Sequence, residues 1–333
     1  MKKMLLTISL FGLLSIGCEE KKTDGAVADN SPDQAREELL ETYSKVPDAS
    51  AILQAGDSGM AVYALCKQRY TDQLTALKKE ADAIGAKLMV TILSPEIGES
   101  VTKSTREGIP FIIETAARLG LEAYDLTTPL AGYTAKQITQ MPLDGHWSAE
   151  GSKIVAALYQ PVITAAKGVR SSKTFTDAER PATFGDLDPN QDAALDGGKN
   201  IPYQLITNSQ GLRMKTPLVF PKTKQRVLLL GDSQVYSPFL DNDQIFTSLL
   251  QAQLPDTEIM NAGVIGYTLD DCTGLLAEKA KYSEPDLIIL VTNPNDIGDF
   301  YFTQRNRMAR SKKAFTPTAT EAALYQQLFG EKK

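Results

Sequence analysis

A run of branched apolar residues that stops at Gly-Asp-Ser constrains this chain most. In Arg226-Val-Leu-Leu-Leu-Gly-Asp-Ser-Gln-Val-Tyr-Ser-Pro-Phe239, the stretch Val227 to Leu230 predicts a fully buried parallel strand. The strand ends at Gly231-Asp232-Ser233, and helical apolar spacing resumes from Ile245 to Leu254. A strand that passes through a small turn toward a helix leaves the turn residue at the carboxyl edge of its sheet, where open α/β sheets place their ligands. A serine there has its hydroxyl in a crevice, and a helix N-terminus near its backbone N–H favours a developing oxyanion. Gly-Asp-Ser also arises by chance, so the reading depends on what else the chain supplies.

A serine hydroxyl needs a base, usually histidine, held in its working tautomer by a third group. The chain contains one histidine, in Pro142-Leu-Asp-Gly-His-Trp-Ser-Ala-Glu-Gly151, with Asp144 two residues before it and the only tryptophan, Trp147, directly after. A lone histidine is commonly a satisfied surface or core residue. This one lies in a turn-rich segment beside a carboxylate and opens an apolar helix (Ile154, Val155, Ala157, Leu158, Val162). Taken together with Ser233, His146 is the candidate base.

Gly231-Asp232-Ser233, Asn261-Ala-Gly-Val-Ile-Gly266, Asn293-Pro-Asn-Asp296 and Asp144-Gly-His146-Trp resemble the blocks of the SGNH (GDSL) hydrolases. The resemblance covers most of residues 60 to 300. It implies Ser233 as nucleophile, His146 as base and Asp144 as its orienter. It also implies an oxyanion hole from the Ser233 and Gly266 N–H groups and the Asn295 side-chain amide. The chain departs from the common pattern in two ways. The Asp-His block precedes the serine, an order that resembles a circular permutation and that of the SGNH-like domains of alginate and exopolysaccharide O-acetyltransferases, which also use Asp-x-His. Asn293-Pro294 stands where many members have glycines, which leaves the Asn295 amide available.

From its start, the chain has Lys2 and Lys3, then an apolar run from Met4 to Ile16, which predict a secretory signal too short to span a membrane as a mature helix. Gly17-Cys18 closes it in the manner of a bacterial lipoprotein signal with Cys18 lipidated, although Ser15 sits where leucine is usual. Residues 19–34 are polar and aperiodic and predict a tether. About 310 residues remain, enough for one large α/β domain or two modest ones. We expect residues 35–166 to form the first half of an SGNH domain, 167–224 a turn-rich linker or insert, and 225–333 the second half.

Net charge −6 argues against nucleic acid or an anionic membrane surface as the main partner. Any membrane contact is expected through the lipid anchor alone. Cys66 and Cys272 show no metal spacing and are read as packed thiols, with one disulfide as the alternative. No Gly-x-Gly-x-x-Gly turn or Walker loop occurs, so no cofactor is expected.

Helical patterns are expected over 34–45 and 60–84. Gly56-Asp57-Ser58 repeats the nucleophile triplet, but no buried strand precedes it, and Ser58 is read as an N-cap. Lys87–Leu93 and Glu122–Leu126 predict strands, with a helix from Ile109 to Leu119 closed by Gly120. Asp188-Pro-Asn-Gln-Asp192 and Asp196-Gly-Gly do not match a calcium loop and are read as exposed turns. Tyr203–Thr207 predicts a strand. The Asn208-x-x-Gly-x-Arg213 element that follows resembles one preceding the nucleophile strand in many SGNH proteins. Arg213 is a candidate substrate contact, with a structural ion pair as the alternative. Strands at 226–231, 258–262 and 286–292, with helices at 245–254 and 269–281, complete the pattern. The basic residues from Arg305 to Lys313 are read as a solvated run, with an anionic-glycan contact as the alternative.

Five parallel strands with helical crossovers predict a three-layer α/β/α, flavodoxin-like sandwich. The function expected is that of an SGNH-type serine esterase in the bacterial cell envelope, acting on an acyl ester, most simply an acetylated carbohydrate. Two alternatives stay open. One is a polysaccharide O-acetyltransferase with the same triad, served by an acetyl-delivering membrane protein. The other is a non-catalytic carbohydrate-binding lipoprotein.

Overall fold

The computed structural model describes residues 56–98, 101–196, 198–298 and 318–329. Cys18 and the leader before it, the tether, the helix expected at 34–45 and the basic run at 305–313 lie outside the described residues. In chain order the elements are α1 (Gly56–Ala83), β1 (Lys87–Ile92), α2 (Lys103–Arg118), β2 (Glu122–Asp125), α3 (Ala135–Ile138), α4 (Ala149–Ala165), β3 (Asp192–Leu195), β4 (Tyr203–Ile206), β5 (Gln225–Leu230), α5 (Ser233–Tyr236), α6 (Phe246–Gln253), β6 (Thr257–Asn261), α7 (Leu269–Glu278), β7 (Leu287–Thr292) and α8 (Ala319–Phe329).

The five long-expected strands form one sheet in the order β2-β1-β7-β5-β6, and every pairing is parallel. Every residue of β5 and β7 is buried, which is why both read as unbroken apolar runs instead of alternating ones. Alternate side chains enter two cores. Leu228, Leu230, Ile288 and Leu290 pack with α1, α2 and α7 residues; Val227, Leu229, Ile289 and Val291 pack with α4 and α6 residues. The result is the expected three-layer α/β/α sandwich. Counted from β5, the sheet order is 2-1-3-4-5, the flavodoxin-like order, whose ligand crevice opens where the winding reverses, between β5 and β7.

Several boundaries differ from expectation. Ser58 lies inside α1 and does not cap it. Helix α2 begins six residues before Ile109, because Thr102 caps it by accepting from the Thr105 N–H and so supports a polar first turn with no apolar spacing. Asp192, read as the end of a turn, starts β3, which pairs antiparallel with β4. Residues 167–224 pack into the domain, with Phe175, Phe184, Leu212 and Leu218 in the larger core. At the amino edge of the sheet, Asp286 is fully buried. It accepts hydrogen bonds from Ser171 N (2.8 Å), Arg226 N (2.9 Å) and Lys222 Nζ (2.7 Å), which ties that segment to the sheet. Cys66 and Cys272 are buried and form no disulfide with each other. Among the described residues no helix is long and apolar enough to cross a membrane.

Candidate active site

Ser233 sits immediately beyond β5, between the loops that follow its two neighbours in the sheet. Gly231 makes this possible. A Cβ there would lie 2.8 Å from the Val291 carbonyl oxygen and 2.6 Å from Val235, so only glycine lets the Ser233 turn fold so closely beside β7. On the other side, the loop after β6 is bound to the same turn through Ala262 N donating to Leu229 O (3.1 Å) and Val264 N to Gly231 O (3.2 Å). Gly263 passes over α5 so closely that a Cβ would meet the Tyr236 nitrogen at 2.4 Å. Its neighbour Asn261 is fully buried and donates to Val235 O (2.8 Å). The first and second sequence blocks therefore interlock through backbone.

The helix at Ser233 is a single turn, and the helix expected from Ile245 to Leu254 is the separate α6. What the turn supplies is local. The Asp232 side chain accepts from Gln234 N (2.8 Å), while Val235 N and Tyr236 N donate to Asp232 O (3.2 and 3.0 Å). Ser233 itself is half-buried.

Asp144 and His146 ride on a tongue, residues 139–147, closed at its base by an antiparallel bridge between Thr139 and Trp147. Trp147 is fully buried and anchors it. Gln140 N donates to His146 O (2.8 Å), and Asp144 N to Gln140 O (3.3 Å). Asp144 Oδ1 receives both the His146 backbone N–H (2.9 Å) and Nδ1 of the imidazole (2.5 Å). With Nδ1 committed, Nε2 is the nitrogen left to take a proton. The other carboxylate oxygen of Asp144 is 4.0 Å from Lys199 Nζ.

The tongue follows β2 at the far edge of the sheet, yet it reaches β5 because α4 packs against α6. The His146 and Phe239 rings lie 6.0 Å apart, and Gln140 Nε2 donates to Phe239 O (3.5 Å). Burial raises the Asp232 carboxyl pKa above the usual aspartate range, against the hydrogen bond from the Gln234 N–H and the proximity of His146. The histidine and the Ser233 turn thus share one edge of the sheet.

Gly266 follows β6 and adopts a left-handed φ of +76°. Asn295 follows β7; it is exposed, and its side-chain amide has no partner among the described residues. Its loop is held from below. Asp296 accepts from Thr292 Oγ1 (2.8 Å) and Asn293 N (3.0 Å), and Arg69 donates to the carbonyls of Asp296 and Ile297 (3.3 and 3.2 Å). The topology therefore puts Gly266 and Asn295 in the loops after the two strands flanking that of Ser233.

Arg213 does not join them. It is 1 % exposed, and its guanidinium is spent on the carbonyls of Tyr236, Ser237 (2.8 Å) and Leu240 (2.5 Å). With Asn242 Oδ1 (3.3 Å) as a further partner, it makes no ion pair with a carboxylate among the described residues. Phe239, Gln140 and Lys199 were missed. Each acts across a large sequence separation, and no local pattern marks them. A cavity of about 520 Å³ lies on the outer side of β6 beside α6; none of Ser233, His146, Asp144, Gly266 and Asn295 lines it.

No family model matches the chain, and no curated protein matches it. Among solved structures it is similar to the O-acetyltransferase domain of Pseudomonas putida AlgJ, at 14% identity over 81% of this chain and 93% of that one, with a TM-score of 0.47. It is also similar to Pseudomonas aeruginosa AlgX, at 14% identity over 71% of this chain and 58% of that one, with a TM-score of 0.40.

Proposed function

We propose that the chain is an SGNH-type serine esterase that acts on an O-acetylated carbohydrate of the bacterial cell envelope, where it is exported and anchored through a lipid on Cys18. The observation that carries this reading is the Asp144–His146 pair, hydrogen-bonded at 2.5 Å and delivered beside the nucleophile turn. The strand order 2-1-3-4-5 counted from β5 supports a block order permuted relative to the common SGNH chain.

In this mechanism Ser233 Oγ attacks the ester carbonyl carbon while His146 Nε2 takes its proton. Asp144 stabilises the imidazolium. The oxyanion is met by the N–H groups of Ser233 and Gly266 and by the Asn295 amide, and one such donor is worth about 3 kcal/mol in the transition state. Collapse expels the alcohol, which takes the proton from His146, and leaves an acyl-Ser233. Water, deprotonated by the same imidazole, then releases the acid. A sugar hydroxyl in place of water would make the reaction an acetyl transfer through the same intermediate.

The test is hydrolysis of p-nitrophenyl acetate by protein lacking residues 1–18, compared with Ser233→Ala and His146→Ala, with and without an added oligosaccharide. Loss of turnover in both variants is expected. Acetyl accumulating on the sugar moves the assignment to a transferase. A wild-type protein inert toward esters of several chain lengths, with and without acceptor, leaves a carbohydrate-binding protein.

A further inference from the structure

Arg213 carries a buried positive charge with no carboxylate in ion-pair distance among the described residues. Such a group is expensive to bury unless its hydrogen bonds fix something. What they fix is one short stretch. Nη1 donates to the carbonyls of Tyr236 and Ser237, Nη2 to Leu240 O, and Nε to Asn242 Oδ1 (3.3 Å). The Tyr236 ring lies 4.6 Å from the guanidinium carbon.

That stretch is strained. Ser237 and Phe239 have φ of 58° and 64°, a left-handed conformation uncommon for residues other than glycine. Backbone strain of this kind persists only where the surroundings over-determine it. At its start, Ser237 N donates to Ser233 O (2.8 Å), which ties it to the proposed nucleophile. At its end, the Phe239 ring meets the His146 imidazole, and Phe239 O accepts from Gln140, whose own N–H donates to His146 O. Residues 236–240 are thus a bridge between two groups that come from opposite halves of the chain.

We propose that Arg213 is a positioning residue: by clamping residues 236–240 in their left-handed path it sets His146 against Ser233, with Phe239 as the contact that reaches the imidazole. This rests on the reading of Ser233 and His146 as nucleophile and base. The conformation of the bridge is selected by the forked N–H groups of a planar guanidinium, which an ammonium does not reproduce.

The test uses Arg213→Lys and Phe239→Ala in the protein lacking residues 1–18. With p-nitrophenyl acetate, kcat is expected to fall at least about tenfold with KM within about twofold, since a small displacement of base from nucleophile removes transition-state stabilisation and little ground-state binding. The second readout is independent of turnover. The chain has one histidine, so a single downfield Nδ1–H proton signal reports the Asp144–His146 hydrogen bond, and in both variants it should broaden through faster exchange with water. If Arg213→Lys does not fold, Phe239→Ala decides alone. Folded variants with wild-type kcat and an unchanged Nδ1–H signal overturn the proposal. A wild-type protein without Ser233-dependent turnover overturns the esterase reading instead, and the proton signal then decides whether the clamp exists.

Discussion

The tongue that carries Asp144 and His146 can be displaced without touching either residue. Gly151 lies in the first turn of α4, where a Cβ would stand 1.9 Å from the Ile138 carbonyl oxygen, 2.7 Å from its carbon and 2.9 Å from Ile138 Cα. All three atoms are backbone, so no side chain can swing aside. Ordinary contact begins at 3.4 Å, so Gly151→Ala must part α4 from the base of the tongue by about 1.5 Å. The Ser148 N–H that donates to Ile138 O (2.9 Å) is strained by the same movement. Alanine returns up to ~1 kcal/mol of helix propensity against ~1–3 kcal/mol of overpacking. The expected net loss is about 1–2 kcal/mol, or a few degrees in Tm at about 2–4 °C per kcal/mol for a domain approaching this size. The effect on chemistry should be larger, because a displacement of about 1 Å can lower a rate ~100-fold. Urea unfolding and p-nitrophenyl acetate turnover measure the two effects. Gly145→Ala is the internal comparison: it lies between Asp144 and His146, yet an added Cβ meets nothing within 4 Å, so its stability should stay within about 0.5 kcal/mol of wild type. Gly151→Ala with wild-type Tm and turnover would refute the argument that this glycine sets the tongue's height.

Asn295→Ala should lower kcat by ~10²–10³-fold with unchanged stability; a change in KM alone would remove the residue from the oxyanion hole. Asp286→Ala should cost about 3–5 kcal/mol by urea titration, since it strands the largely buried Lys222 and leaves the Arg226 and Ser171 N–H groups unpaired; a loss below about 1 kcal/mol would contradict that. Burial raises the Asp232 pKa in the folded state, so this carboxyl contributes stability below the unfolded value of about 4 that is lost as pH rises through the raised folded value. Wild type should therefore lose stability relative to Asp232→Asn from about pH 4 upward and then level off, and a relative gain over that range would reverse the assignment. Cys66 and Cys272, both buried, should react with a thiol reagent only on unfolding, with burial also pushing the Cys66 pKa up; rapid labelling of the native protein would contradict the packing.

The strands were legible because central parallel strands are covered on both faces, which leaves runs such as Val227–Leu230 and Leu287–Val291 with no polar interruption. The amphipathic helices followed from their spacing. The start of α2 did not, because its first turn rests on one hydroxyl, that of Thr102. Ser58 is read as a cap because the helical pattern is read from residue 60, whereas the helix already includes Gly56. At the site, residue types made Ser233, Asp144 and His146 candidates, and the structure sets the His146 ring 6.0 Å from that of Phe239, six residues past Ser233. Arg213 looked like a ligand contact because a lone arginine after a turn carries no sign of burial. Phe239 and Gln140 matter through contacts spanning 93 and 99 residues, which no local pattern encodes.

Strand pairing also dictates when this protein can become a folded object. β1 lies in register with β7, Lys87 opposite Leu287, so the first long strand to emerge waits about two hundred residues for its neighbour. Until then one of its edges is bare, β2 has only β1 to lean on, and β5, though already made, has no strand joining it to β1. Contacts this distant make for slow assembly and prolonged exposure of apolar surface. The ordering suits a chain kept extended until it is all but complete, and a truncation just before β7 should leave an aggregation-prone fragment rather than a working half.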